Sequence, residues 1–96
     1  MRERLEKVIV AGFEYQVCVQ IVYGKKVVKG YFYKFDDYES LRTRGYYRLI
    51  PENSYLAFLL SLQRSNEAQK DLSVVLEAKN IRKIEMVRCA LSAYIH

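Results

Sequence analysis

Ten cationic side chains stand in three groups along the chain: Lys25, Lys26 and Lys29, then Arg42, Arg44 and Arg48, then Lys79, Arg82, Lys83 and Arg88. Tyr31, Tyr33, Tyr38, Tyr46 and Tyr47 are interleaved with them. Cations that meet phosphate, beside aromatic rings on which bases stack, are what single-stranded nucleic acid requires of a protein. Each stacked base is worth ~1–3 kcal/mol. The same residues also read as a solvated face whose tyrosines are half buried in a small core. The net charge of +5 favours acidic partners without choosing among them.

Other chemistry finds little support. The one histidine is His96, so Ser-His-Asp, Cys-His and histidine-based metal arrangements are absent. Asp36, Asp37 and Glu39 could offer oxygen ligands to a hard cation, but three carboxylates in a turn more often cap local backbone N–H groups. Glu77-Ala78-Lys79, after an apolar run, resembles the end of the PD-(D/E)xK nuclease signature. Asp71 lies too near to be its usual partner, and Asp36 or Asp37 too far. The residues therefore predict a non-catalytic protein with no metal and no cofactor. Cys18 and Cys89, far apart and outside any CxxC motif, read as free buried thiols. The first 13 residues hold too short an apolar run for a secretory signal or a membrane span. The expectation is an intracellular, cytoplasmic protein.

The elements that must position these groups read as one domain, 1–96, with 51% hydrophobic residues. Residues 13–41 read as a long β-hairpin. Phe13, Tyr15, Val17, Val19, Ile21 and Tyr23 alternate with more polar neighbours, Gly24 makes the turn, and an aromatic, β-branched run follows from 27 to 35. Phe32 and Phe35 lie three apart, which predicts a bulge or bend near Gly30 or Lys34. Residues 36–40 read as a turn. A third strand covers 46–50, with Tyr47 and Leu49 inward, and Pro51 stops it. A helix runs to about Arg64 with Tyr55, Leu56, Leu59, Leu60 and Gln63 as its inner stripe. Residues 72–77 and 81–86 read as strands around a tight turn, although 68–79 also fits a helical period. Val87, Leu91, Tyr94 and Ile95 predict a terminal helix. Tyr31, Phe32 and Tyr33 make both faces of the second strand aromatic, so helices cover both sides or another chain covers one.

Val17-x-Val19-x-Ile21-x-x-Gly24, then Gly30-x-Phe32-x-x-Phe35-Asp36-x-Tyr38-x-x-Leu41, resembles the first motif of Sm-like proteins. The segment from Val74 to Ile84 is similar to their second. The resemblance implies an α+β fold, a strongly bent antiparallel small barrel of the Sm or SH3-like kind with about five strands. An inserted helix and a C-terminal helix would complete it. It also implies ring assembly, hence a homo-oligomer. The chain departs from the family at Ser40, where Asn is usual, and at Glu77-Ala78, where Arg-Gly is usual. Those positions typically line the family's uridine pocket. Residues 54–70 are an insertion.

The reading that follows is a binding module for single-stranded RNA or DNA. Tyr38 and Tyr46 would stack on bases, Lys25, Lys26, Lys79 and Arg82 would meet phosphate, and Ser40 and Arg44 would complete the site. The alternative is a regulatory factor that docks a protein partner on its aromatic sheet face or terminal helix. A metal-dependent nuclease using Glu77 and Lys79 is the third reading.

Overall fold

The computed structural model describes residues 2–65 and 69–87, with side chains from Leu5 onward. It is an α+β fold whose first element is helical. Helix α1 (Arg2–Tyr15) places Leu5, Ile9 and Phe13 one turn apart on the face that meets the core. Gln16, in the left-handed region at φ 53°, ends it. The strand expected from residue 13 therefore begins only at Cys18. Residues 9–15 satisfy two periods at once, and the helical one buries Ile9 and Phe13 while leaving Tyr15 in solvent. The helix lies so close to the sheet that a Cβ on Gly12 would sit 2.8 Å from Phe32 Cδ2.

Strands β1 (Cys18–Tyr23) and β2 (Lys26–Phe32) form the hairpin, in unbroken register from Cys18 opposite Tyr31 to Tyr23 opposite Lys26. The bulge expected near Gly30 is absent from this pairing, because β2 stops at Phe32 and Phe35 turns to the other face of the sheet. A short helix, α2 (Tyr38–Thr43), replaces the end of the turn expected at residues 36–40. Strand β3 (Tyr46–Pro51) has Leu49 fully buried and Tyr47 packed on the same inner cluster, the register anticipated above.

After a 3-10 turn at Glu52–Ser54 comes helix α3 (Tyr55–Ser65). It buries Tyr55 and Phe58 and half-buries Leu59 and Leu62. The expected stripe is rotated: Leu56 and Leu60 face solvent, since Phe58 fills the space beside Tyr33 and Phe35. Strands β4 (Val74–Glu77) and β5 (Ile81–Met86) are joined by a 3-10 turn at Ala78–Asn80, so this region is strand rather than helix.

The five strands make one antiparallel sheet in the order β4-β3-β2-β1-β5. It is not closed into a barrel, which corrects the closed form expected above. Its curvature follows from its connectivity. Edge strands of a flat five-stranded sheet lie about 19 Å apart, whereas a three-residue 3-10 turn advances only about 6 Å. The sheet must roll until the end of β4 meets the start of β5. Gly24 N donates to Asn80 O at 3.1 Å, and Glu77 N donates to Tyr23 Oη at 2.8 Å.

Inside the roll, Val19, Ile21, Phe32, Leu49, Leu76 and Ile81 surround Ile9 and Phe13 of α1. Outside it, Cys18, Tyr31 and Ile50 meet Tyr55 and Phe58 of α3, with the Tyr31 and Tyr55 rings stacked at 3.7 Å. At its Tyr31–Phe32 end, both faces of β2 are thus covered by helices of this chain. Cys18 is disulfide-bonded, which corrects the free thiol expected for it. The chain's other cysteine, Cys89, and the expected terminal helix beyond Val87 lie outside the described residues.

Gly30 sits between β1 and β3, opposite Val19 and Pro51, where a Cβ would overlap the Ile50 carbonyl. Gly30→Ala is expected to cost at least about 3 kcal/mol, measured as a loss of urea-unfolding free energy, because backbone rather than a side chain must yield.

Candidate nucleic-acid interface

The rolled sheet gathers three separate segments at one seam. Gly24, at φ 59°, turns the β1–β2 hairpin and exposes Lys25 and Lys26. Its N–H bonds to Asn80 O, which brings the hairpin tip to the Ala78–Asn80 turn. Ala78 N in turn donates to Gly45 O at 2.8 Å, joining that turn to the residues that lead into β3. Lys25, Arg44, Tyr46 and Lys79 thereby share one end of the molecule, and Arg82 follows one residue after the turn.

Glu77 lies in the middle of this seam. Tyr46 stands opposite it in the β3–β4 register and its hydroxyl donates to Glu77 Oε2 at 3.0 Å. Asn80 Nδ2 donates to Oε1 at 3.2 Å, and Lys79 Nζ is 3.6 Å from the same oxygen. Three side chains therefore fix the carboxylate while its side chain stays 25% exposed. The hydrogen bond to Glu77, and then its charge, push the Tyr46 phenol above its ordinary pKa, so Tyr46 remains a donor.

The other predicted positions fall differently. Tyr38 opens α2, where its ring meets Phe13 edge-on at 4.9 Å and Lys34 Nζ lies 4.9 Å from its centroid. It is packed on the inner core rather than presented at the seam. Ser40 is exposed on α2 and touches the site only through its carbonyl, which accepts from Arg44 Nε at 3.4 Å. The register adds two cations that the sequence left outside the site. Lys29 pairs with Gln20 and Lys83 with Val22, which puts both on the outer face of β2, β1 and β5 beside Val22 and Val27. Their alternation with Val28 and Ile84, which are half-buried against the inner cluster, was the available signal.

Arg48, a cation of the second group in the sequence, is instead a clamp. Its guanidinium donates to both oxygens of Asp37, at 3.2 and 3.0 Å, and to Ser73 Oγ at 3.0 Å, tying β3 to the start of α2 and to the segment before β4. Asp36 pairs with Lys70 and Glu39 with Arg42, so each carboxylate of the acidic cluster has a cationic partner. Among the described residues no group of three or more His, Cys, Asp or Glu side chains could share a metal ion, and no helix is long and apolar enough to cross a membrane. A groove of about 420 Å³ along α1, lined by Glu6, Lys7, Val10, Ala11, Glu14 and Tyr15, contains none of the predicted site residues. Comparisons of the chain with protein-family models, with curated proteins and with solved structures find no match.

The hydrogen bonds from Arg48 hold the Asp37 carboxyl below its ordinary value of 3.8. A depressed carboxyl stabilises the fold above the unfolded value and loses that contribution as pH falls through the folded one. Arg48→Met is therefore expected to cost about 1–2 kcal/mol at pH 7. Urea melts of the two proteins should converge as the pH is taken below 4.

Proposed function

We propose that this chain is a non-catalytic module that binds single-stranded RNA or DNA along the seam of its rolled sheet. One observation carries the reading. Two backbone hydrogen bonds, Gly24 N to Asn80 O and Ala78 N to Gly45 O, collect cations from three segments that are remote in sequence. Lys25, Lys26, Arg44, Lys79 and Arg82 are exposed there, and Glu77 is itself engaged by Tyr46, Lys79 and Asn80. Phosphates would follow these cations, while the half-buried Tyr46 ring offers an aromatic edge at the same end. Lys29 and Lys83 would extend the track across the outer face of the sheet.

The rolled sheet, its strand order and the tight turn between its edge strands support placing the module with the Sm-like or SH3-like small barrels. The outer edges of β4 and β5 are where a second copy would add to form the homo-oligomer that this kinship implies. The proposal sets the protein in the cytoplasm, where the Cys18 disulfide would depend on its burial for protection. A second reading, docking of a protein partner, has one supporting feature: Leu56 and Leu60, one turn apart on α3, are 52% and 44% exposed.

Fluorescence anisotropy with labelled single-stranded oligonucleotides, at low and at physiological salt, tests the proposal. Affinity should fall with salt at a slope of about 0.7 log unit per phosphate contacted, and Lys79→Ala and Arg82→Ala should each flatten it by about that amount. Tyr38→Ala should lower the melting temperature through loss of its Phe13 contact and leave the slope unchanged. Binding that is absent, or insensitive to salt, would refute the module.

A further inference from the structure

A carboxylate in the middle of a phosphate-binding seam repels the backbone of the strand. Glu77 is nevertheless held there by Tyr46, Asn80 and Lys79, on a strand whose own N–H is fixed by Tyr23 Oη. Its geometry limits what it could read. A carboxylate accepts at about four lone-pair sites and donates at none. Tyr46 occupies one site on Oε2, and Asn80, with Lys79 at longer range, occupies Oε1. One acceptor position remains on each oxygen, and the group is a quarter exposed. Two parallel N–H donors, one to each oxygen, would use both positions.

Resting on the nucleic-acid reading above, we infer that Glu77 selects guanine in the bound strand by accepting from its N1–H and its N2 amino group together. Among the four bases, only guanine has two adjacent donors on its Watson–Crick edge. Uracil offers a single N–H between two carbonyl oxygens, which would face the carboxylate and repel it. Adenine and cytosine each offer one amino group next to a ring nitrogen that is an acceptor. Single-stranded bases present these edges freely, so an edge reader suits an unpaired strand. The nearby cations serve a second purpose here, since Lys79 offsets the repulsion between Glu77 and the phosphates flanking the guanine.

The test compares three heptanucleotides, UUUGUUU, UUUIUUU and UUUUUUU, binding to the wild-type protein and to Glu77→Gln. Inosine retains N1–H but lacks the N2 amino group, so it separates paired from single acceptance. Wild type should prefer the guanine strand to the uridine strand by roughly ten- to hundredfold, with inosine between them. Glu77→Gln, which still accepts from Tyr46 but presents only one acceptor oxygen, should bind all three alike, at the wild-type affinity for the uridine strand or above it. Its melting temperature checks that the seam is intact. If wild type binds all three strands equally, or if Glu77→Gln keeps the guanine preference, guanine selection is wrong while the binding module stands. If no strand binds at low salt, the module fails and guanine selection fails with it. Competition by 5′-GMP separates strand from free nucleotide: GMP should displace UUUGUUU only at far higher concentration, and equal potency would overturn selection within a strand.

Discussion

Three residues, Ala78–Asn80, connect the two outermost strands of a five-stranded sheet. No flat arrangement allows this, because the edges of such a sheet are about 19 Å apart. The sheet rolls, and the roll decides where everything else goes. It makes one face concave, and that face is filled by Ile9 and Phe13 of the N-terminal helix rather than by closure of β4 onto β5. The other face is convex, and α3 covers only part of it. The roll also brings the tip of the β1–β2 hairpin against the β4–β5 turn, which is how lysines from the first third of the chain come to stand beside those from the last.

Successive residues of β2 show how tightly the two faces are coupled. Tyr31 and Phe32 are both fully buried, on opposite sides of one strand. Tyr31 stacks on Tyr55, and Phe32 lies 4.9 Å from the Phe13 ring. Between the faces, Gly30 lets β3 approach β2 closely, and a side chain there would strike backbone. Arg48 then closes the far end by clamping Asp37 and Ser73, so the start of α2 and the segment before β4 are held to β3 by a charged fork rather than by strand pairing. Burial of aromatics and a few well-made polar contacts therefore share the stabilisation of a small fold.

Local pattern carried much of this into the sequence. The alternation of Val19, Ile21 and Tyr23, the glycine at position 24 and the stop at Pro51 all correspond to strands and turns of the structure. The β-branched pair Val74-Val75 marked a strand where helical periodicity competed. The N-terminal helix was not legible, because Phe13, Tyr15 and Val17 continue the strand alternation while Leu5, Ile9 and Phe13 follow a helical one. Only the presence of a concave sheet to be filled decides between them. Nor did α3 disclose which of its leucines face inward, since that depends on the position of Tyr33 and Phe35. Of the site, the residue types were visible and their grouping was not. Nothing local to Gly24 points to Asn80, and nothing local to Tyr46 points to Glu77. Tyr38 was the converse case, an aromatic whose setting in sequence suggests stacking on a ligand and whose ring is occupied by Phe13 and Lys34.

The proposed ligand site is the seam, where hydrogen bonding across the roll assembles cations around a fixed carboxylate. The most direct measurement is a titration of the ¹⁵N-labelled protein with a short single-stranded oligonucleotide, following backbone amide shifts residue by residue. If the seam binds the strand, Gly24, Lys25, Gly45, Tyr46, Glu77, Lys79 and Arg82 move together along one binding curve, while the α3 amides around Leu56 and Leu60 stay in place. Shifts centred on α3 or on the outer face of α1, with the seam unmoved, would contradict it.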